Sequence, residues 1–304
     1  MTPAGRQAKV AYVTCEPRQP EWEDDELSAE VLAERGVQVD FVAWDDPRAD
    51  WDDYALAVVR SPWDYGERLD EFLTWADSVG SEKLRNGPDI LRWNTDKRYL
   101  AELDGSGLPV PPTVLVAPHG PVPEFGGKVV IKPVTGAGAR DTGIFGDDNR
   151  GEGLELLARL GDQDEVAMLQ AYIPEIEEAG ETAVLFFGGH FAYSLRKRAF
   201  LPAAGVAETK PGTKIAAAMY EDDLVAATDA TEAEIDLGLK TMGWLANRFG
   251  RMPLYARVDM VSTTAGPVLM EVELTEPSLY LGQTASQEVP GAVLFADAVM
   301  RELP

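Results

Sequence analysis

The first 93 residues alternate between strand-like and helix-like periodicity, and this alternation constrains the fold more than any other feature of the sequence. Segments 25–36 and 67–80 place apolar side chains at helical spacing, and each segment ends at a glycine. Strand–helix–strand alternation predicts a parallel sheet covered by helices, so we predict an N-terminal α/β domain over residues 1–93. The strand-like runs are 8–15 (AKVAYVTC), 37–44 (VQVDFVAW) and 54–61 (YALAVVRS).

Beyond residue 93 the pattern changes to that of two smaller α+β units. The first is predicted to contain a helix, a strand pair enclosing a glycine-rich stretch, and a second helix. The second is predicted to form antiparallel strands, with a hairpin at Gly188-Gly189 and a capped helix over 231–250. A chain of 304 residues is long enough for three packed units. We therefore predict an N-terminal parallel α/β domain (1–93), a central α+β subdomain (94–168) and a C-terminal α+β subdomain (169–304).

Acidic residues outnumber basic ones by 52 to 27, which gives a net charge of −25. Such a surface repels nucleic acids and anionic membranes, so we expect neither as a partner. The sequence has no apolar run near the roughly 20 residues of a membrane span and no secretory signal pattern, which predicts a cytoplasmic protein. One cysteine and two histidines exclude an internal disulfide and a cysteine-rich metal site. An anionic ligand would require local convergence of the few basic side chains, together with a divalent cation.

Three acidic side chains are predicted to meet in the last hairpin. Glu271 and Glu273 are two residues apart on one strand and face the same side, and a turn near Gly266 brings Asp259 opposite them. Crowded carboxylates repel each other unless a cation lies among them, and hard oxygen ligands suit Mg²⁺. The alternative is the exposed polar face of an ordinary half-buried sheet. Arg257 shares this face and either stabilises a developing negative charge or neutralises the acids.

Basic residues precede this hairpin at three separated positions. Lys97 lies early in a predicted helix, Lys132 ends a strand, and Lys197 lies on a hairpin strand. The GAGA stretch at 136–139 offers backbone N–H groups without bulky side chains, as loops that cover phosphates do. Taken singly, each lysine is equally compatible with an ordinary surface position.

In this order, the residues resemble those of the ATP-grasp superfamily, carboxylate–amine ligases that hold ATP between two α+β subdomains. The resemblance covers nearly the whole chain and implies the ATP-grasp fold, with ATP and Mg²⁺ as cofactors. It departs from the family pattern at Glu273, where relatives commonly carry asparagine; glutamate also binds Mg²⁺ but adds a negative charge. For the phosphates, the resemblance implies binding by Lys97, Lys132 and Lys197 and closure of a loop that contains Gly136, Ala137 and Gly138. For the nucleoside, it implies adenine contact by Gln170, Ala171, Tyr172 and Ile173 and ribose contact by Glu181 or Glu178. It implies Mg²⁺ binding by Asp259, Glu271 and Glu273, and catalysis by Arg257 and Lys197.

Short motifs indicate a narrower group within the superfamily. RSPWDY (60–65), WNTDKRYL (93–100) and the FFGG hairpin (186–189) resemble the glutathione-synthetase-like ligases, and among them the ligases that close the cycloserine ring. This resemblance implies that ATP phosphorylates a carboxylate and that a nitrogen of the same molecule attacks it, converting O-ureido-D-serine to D-cycloserine in antibiotic biosynthesis. Candidates for contacting this amino-acid-like substrate are Arg60, Asp64, Tyr65, Glu276 and Ser278, with turn capping as the alternative for Asp64 and Ser278.

Two other functions stay open from the sequence. An intermolecular ligase of the glutathione-synthetase-like type would join an amino acid or peptide to a second amine, and it would need two substrates instead of one. A non-catalytic ATP-binding module would be expected to lose the metal-binding acids, and all three acids are present in the sequence. Each alternative involves a small molecule. The sequence leaves open whether the chain forms a homo-oligomer, how many Mg²⁺ ions it binds and the stereochemistry of the substrate.

Overall fold

Three β-sheets organise the computed structural model, which describes residues 7–18, 24–124, 126–136, 138–202, 204–209, 216–221 and 224–304. Among the described residues the strands are β1 Lys9–Thr14, β2 Gln38–Ala43, β3 Leu56–Ser61, β4 Leu84–Arg85, β5 Thr113–Val116, β6 Val129–Pro133, β7 Gly143–Phe145, β8 Ala167–Ala171, β9 Glu181–Phe187, β10 His190–Lys197, β11 Gly205–Val206, β12 Val225–Thr228, β13 Tyr255–Thr263 and β14 Gly266–Glu273. The α-helices are α1 Asp25–Glu34, α2 Leu69–Val79, α3 Pro88–Asn94, α4 Tyr99–Gly105, α5 Arg150–Asp162, α6 Ile176–Ala179, α7 Glu232–Phe249 and α8 Gly291–Arg301.

The N-terminal sheet has the strand order β2-β1-β3-β4, and all of its pairings are parallel. Strands β1 and β3 are buried along nearly their whole length, as expected for strands covered on both faces. The helical segments end at Gly36 and Gly80, both of which adopt the positive φ that glycine tolerates. The prediction of a parallel α/β domain at the N-terminus is confirmed.

The central sheet has the order β11-β7-β6-β8-β5, and its described pairings are antiparallel. Helix α5 covers one face, where Leu156 and Leu160 pack on Ile131 and Phe145. Strand β8 crosses the predicted boundary at residue 168 and pairs with both β5 and β6. Strand β11 also returns to this sheet from later in the chain, so the central sheet contains strands from both sides of residue 168. The domain boundaries themselves stay predictions.

The C-terminal sheet has the order β12-β10-β9-β13-β14 and is antiparallel. Gly188 and Gly189 connect β9 to β10 with φ of +57° and +82°, the conformation that a two-residue hairpin turn requires. The capping box of α7 is also confirmed, because Thr231 and Glu234 each accept a backbone N–H from the other.

One hydrophobic core joins the N-terminal sheet to the C-terminal sheet and thereby fixes the cleft between them. Phe295 of α8 lies at its centre, with ring centroids 6.2 Å from Tyr12, 5.2 Å from Phe187 and 6.1 Å from Tyr255. These rings come from β1, β9 and β13, so the two sheets share one packed interior. Within the described ranges, all helices are too short or too polar to cross a bilayer.

Candidate active site

A cleft of about 810 Å³ opens where the three sheets approach each other. This volume lies within the roughly 300–1,000 Å³ that is common for small-molecule sites. The cleft receives the carboxyl ends of strands from the N-terminal sheet, the edge of β6 and one face of β14. Its lining includes most of the residues selected from the sequence: Asp64, Tyr65, Lys97, Lys132, Gly136, Gly138, Gln170, Ala171, Tyr172, Ile173, Glu181, Lys197, Arg257, Glu271, Glu273, Glu276 and Ser278.

Three of the selected residues lie outside the cleft lining, and a fourth is not among the described residues. Arg60 is 3% exposed and does not line the cleft. Asp259 is 1% exposed and lies behind Lys197 and Arg257, which do line it. Glu178 is exposed on the short helix α6, outside the lining. Ala137 lies outside the described residues.

The pairing of β13 with β14 creates the charged centre of the site. Asp259 lies opposite Glu271, as predicted, and Arg257, which was predicted only to share this face, lies opposite Glu273; a register shift between Asp259 and Met260 produces this alignment. Arg257 donates hydrogen bonds to Asp259 and to Glu273, and Lys197 Nζ lies 2.5 Å from an Asp259 oxygen. Burial alone would raise the pKa of Asp259, but the adjacent Arg257 and Lys197 hold it below its usual value. Asp259 is therefore an ionised anchor for two cationic side chains.

Lys97 and Lys132 face the same carboxylate from the other side of the cleft. Lys97 Nζ lies 3.1 Å from Glu271 and donates to the Gly136 carbonyl at 2.6 Å, which ties the helix region to the glycine-rich stretch. Burial lowers the pKa of Lys132, although the charge of Glu271 partly opposes this shift. Among the described residues, no carboxylate forms an ion pair with Lys132. This ammonium group is therefore available for an anion in the cleft.

The acids of β14 have the chemistry of a magnesium site. Burial, together with the charges of the neighbouring Glu271 and Asp259, raises the pKa of Glu273 to about 8 against the opposing effect of Arg257. The side chains of Glu271 and Glu273 are 28% and 26% exposed, and both line the cleft. Within the described part of the chain, no three acids are arranged to hold a metal ion by themselves. Two carboxylates completed by water and phosphate oxygens are, however, the donor set that Mg²⁺ commonly takes.

Part of the cleft wall is apolar. Val130, Ile144 and Leu224 line it beside Gln170 and Tyr172. Gln170 is 1% exposed, and its Oε1 has no hydrogen-bond partner within the described residues. A buried acceptor without a donor is costly, so a ligand that donates a hydrogen bond here would be stabilised.

Three further residues of the site were not selected from the sequence. Arg140 and Tyr280 line the cleft, the first next to the glycine-rich stretch and the second 5.5 Å from the Arg257 guanidinium carbon. Asn94 donates to the Val272 carbonyl at 2.6 Å and accepts from the Leu274 N–H at 2.7 Å, so it holds β14 in place. A signal for Asn94 was present in the NTDK motif, whereas Tyr280 lies in a loop without a recognisable pattern.

Comparisons with known proteins agree with this geometry. A family model described as the D-cycloserine synthetase DcsG, N-terminal domain, matches residues 10–86. The cycloserine biosynthesis protein DcsG of Streptomyces lavendulae is 32% identical over 283 residues, which are 88% of this chain and 90% of that protein. A crystal structure of D-cycloserine synthetase DcsG superposes with a TM-score of 0.83 at 28% identity, covering 98% of this chain and 100% of the other.

A more distant match shows the fold alone. The crystal structure of a RimK domain ATP-grasp protein from Sphaerobacter thermophilus is 19% identical, with a TM-score of 0.65. The match covers 96% of this chain and 100% of that protein. The chain therefore has the ATP-grasp architecture over nearly its entire length, as the resemblance predicted.

Proposed function

The chain belongs to the DcsG family of ATP-grasp ligases, and from this premise we propose that it uses ATP to activate a substrate carboxylate for attack by nitrogen. The observation that carries the proposal is the convergence in one cleft of three features: Lys132, which has no acidic partner among the residues that the structure describes, the fixed guanidinium of Arg257, and the two acids of β14. These are the groups that phosphoryl transfer to a carboxylate requires, because that reaction depends on positioning and on neutralising charge. We place the reaction in the cytoplasm, where ATP is available.

Lys97 and Lys132 would bind the phosphates beneath the glycine-rich stretch. Their ammonium groups line the cleft, and Lys97 is already oriented by the Gly136 carbonyl. Glu271 and Glu273 would hold Mg²⁺, with Asp259 acting from behind by fixing Lys197 and Arg257. When bound, Mg²⁺ would neutralise the phosphate oxygens during transfer.

The nucleoside would occupy the apolar part of the cleft. Its base fits between Val130 and Ile144, and its exocyclic amine would donate to the buried Gln170 Oε1. Glu181 lines the cleft 2.7 Å from Lys197, whereas Glu178 does not line it. We therefore assign the ribose hydroxyls to Glu181.

At the reacting carboxyl group, Arg257 would stabilise the negative charge that develops on the carbonyl oxygen. Its guanidinium is held by Asp259 and Glu273 and by the Ser278 carbonyl, so it needs no reorganisation during the reaction. Lys197, fixed between Asp259 and Glu181, would bind the transferring phosphoryl group from the other side.

We propose O-ureido-D-serine as the substrate. The oxygen-linked ureido nitrogen would attack the acylphosphate carbonyl, and the carbonyl–phosphate bond would break to release phosphate. Hydrolysis of the ureido carbonyl would consume one water and release carbon dioxide and ammonia. The products would be D-cycloserine, ADP, phosphate, carbon dioxide and ammonia, with no change in oxidation state.

Incubation of the protein with O-ureido-D-serine, ATP and MgCl₂ tests the proposal. We expect ADP release together with cycloserine detected by mass spectrometry. Lys132→Met should abolish both products, and Lys240→Met, which removes an exposed lysine of α7, is the matched control and should retain them. Formation of ADP only when a second amine is added would indicate an intermolecular ligase. Binding of ATP without any ADP release would indicate a non-catalytic module.

A further inference from the structure

The loop that follows β14, residues 275–280, is held rigidly although it has no regular secondary structure. Four of its carbonyl oxygens each accept a hydrogen bond from a side chain of another element. The donors are Tyr255 Oη to Thr275 O (2.9 Å), Arg60 Nη2 to Pro277 O (3.0 Å), Arg257 Nη1 to Ser278 O (3.1 Å) and Tyr193 Oη to Leu279 O (2.7 Å). A loop with this many fixed carbonyls cannot reorient freely, so the direction of its side chains is determined by the fold.

Arg60 connects this loop to the N-terminal sheet. Its Nε lies 2.8 Å from Asp25, and the side chains of both residues are almost completely buried, at 2% and 3% exposure. The guanidinium also lies over the rings of Tyr255 and Phe295, 5.2 and 5.4 Å from their centroids. The sequence suggested Arg60 as a substrate contact, but the structure places it behind the loop, where it fixes the Pro277 carbonyl.

Glu276 is the acidic side chain that this loop presents to the cleft. The Tyr65 hydroxyl donates to it at 2.7 Å, and both residues line the cleft wall. Within the described parts of the chain, no lysine, arginine or histidine forms an ion pair with Glu276. Burial raises its pKa to about 7, although the Tyr65 hydrogen bond and the more distant charges of Lys97 and Arg257 oppose this shift.

Apart from Glu16, which is exposed to solvent, the other acids that line the cleft are already engaged. Glu271 pairs with Lys97, Glu273 pairs with Arg257, and Glu181 pairs with Lys197. Asp64 accepts a hydrogen bond from Trp44 Nε1 at 2.9 Å and lies 3.7 Å from Arg68. Glu276 is therefore distinguished from these acids by its lack of a cationic partner, and it is the one that an incoming cation would stabilise most.

The reaction proposed above, on which this inference rests, leaves one cationic group of the substrate unused. The α-amino group of O-ureido-D-serine takes no part in carboxylate activation or ring closure, and it remains in the product. We propose that Glu276, oriented by the fixed 275–280 loop and by the Tyr65 hydroxyl, binds this α-ammonium group and determines the specificity of the enzyme for α-amino acids. Arg257 lines the same cleft and donates to the same loop, so the two ends of the zwitterion would meet opposite charges.

A comparison of two substrates tests the inference. The first is O-ureido-D-serine, and the second is 3-(ureidooxy)propanoic acid, which lacks only the amino group. The readout is kcat/KM for O-ureido-D-serine divided by kcat/KM for 3-(ureidooxy)propanoic acid, each measured by ADP release. If the second compound is not turned over, its inhibition constant is measured in place of its kcat/KM. We expect Glu276→Gln to reduce this ratio by about tenfold to 150-fold, as expected for the loss of a charge-assisted hydrogen bond. The KM for ATP should stay within about twofold.

Glu288→Gln, at an exposed position in the same subdomain, is the matched control and should leave the ratio unchanged. Tyr65→Phe removes only the supporting hydroxyl and should reduce the ratio in the same direction by a smaller factor. Because the readout is a ratio within one protein sample, partial loss of folded protein does not affect it. A ratio that is unchanged in Glu276→Gln, with an active wild type, would reject the inference and leave the proposed function standing. A wild type that releases no ADP with O-ureido-D-serine would reject the proposed function, and the inference with it.

Discussion

The buried pair of Arg60 and Asp25 allows two effects to be measured separately: the stability of the fold and the positioning of the 275–280 loop. In Arg60→Met, Asp25 keeps its buried location but loses its cation, and the Pro277 carbonyl loses its donor. Removing one partner of a buried ion pair costs roughly 3–5 kcal/mol. For a chain of 304 residues, that corresponds to a decrease in Tm of about 5–8 °C.

The double variant Arg60→Met/Asp25→Asn should recover most of this stability, because no unpaired charge is left in the interior. A cost of about 1–2 kcal/mol should remain, since the Pro277 carbonyl is still without its donor. Urea unfolding at pH 7 gives the free energies of unfolding for wild type, both single variants and the double variant.

Steady-state kinetics on the same four proteins tests the positioning role. We expect KM for the amino-acid substrate to rise in Arg60→Met and to stay raised in the double variant, while KM for ATP changes little in either. A purely structural role for Arg60 predicts that stability and KM recover together in the double variant. That joint recovery, or a loss of less than about 1 kcal/mol in Arg60→Met, would contradict the reasoning.

Three other perturbations have expected outcomes. Removal of Mg²⁺ by EDTA should abolish ADP release, and Glu271→Gln should raise the MgCl₂ concentration needed for half-maximal rate; an unchanged requirement would exclude Glu271 as a ligand. Thr231→Ala should lower the free energy of unfolding by about 1 kcal/mol through loss of the α7 cap, with no change in kinetics. The pKa of Glu276 is raised to about 7, so its folded carboxyl group binds a proton more tightly than its unfolded one, and its contribution to stability is lost as pH rises from about 4.5 to 7. Glu276→Gln should therefore match wild type in urea unfolding near pH 4 and exceed it by about 3 kcal/mol at pH 8; equal stability at both pH values would contradict this assignment.

Features set by local periodicity could be predicted from the sequence. Arg257, Asp259, Glu271 and Glu273 alternate with apolar residues, and alternation fixes which side of a strand each side chain faces. The turn at Gly266 brings the two strands together, but continued regularly from that turn the register would pair Asp259 with Met270; a register shift between Asp259 and Met260, which alternation did not predict, places Asp259 opposite Glu271. The same reasoning predicted the parallel N-terminal domain and the capping box of α7, because both depend on residues close together in the chain.

Features set by contacts between distant segments could not be predicted in this way. Arg60 ends a strand next to the cleft, and its orientation is decided by Asp25 and by the Pro277 carbonyl, which lies 217 residues further along the chain. A strand-end arginine that points into a cleft and one that supports a loop have the same local sequence signal. The membership of β8 in the central sheet likewise depends on pairing with β5 and β6, for which periodicity gives no information.

The pairing of charges in the cleft also explains how so acidic a chain can bind a triphosphate. The carboxylates assigned to Mg²⁺, Glu271 and Glu273, are the same groups that pair with Lys97 and Arg257 in this structure. A cation bound to these acids would weaken both ion pairs; the Lys97 ammonium would then be available to phosphate, and the Arg257 guanidinium, still held in place by Asp259 and the Ser278 carbonyl, would be available to the reacting carboxyl group. Binding of Mg²⁺ should therefore raise the affinity for the nucleotide, and binding of the nucleotide should raise the affinity for Mg²⁺. Part of this coupling would come from the exchanged ion pairs of the protein, in addition to direct contact between the metal and the phosphates. In this proposal Lys132, which has no acidic partner among the described residues, would supply the initial attraction for the nucleotide before that exchange takes place.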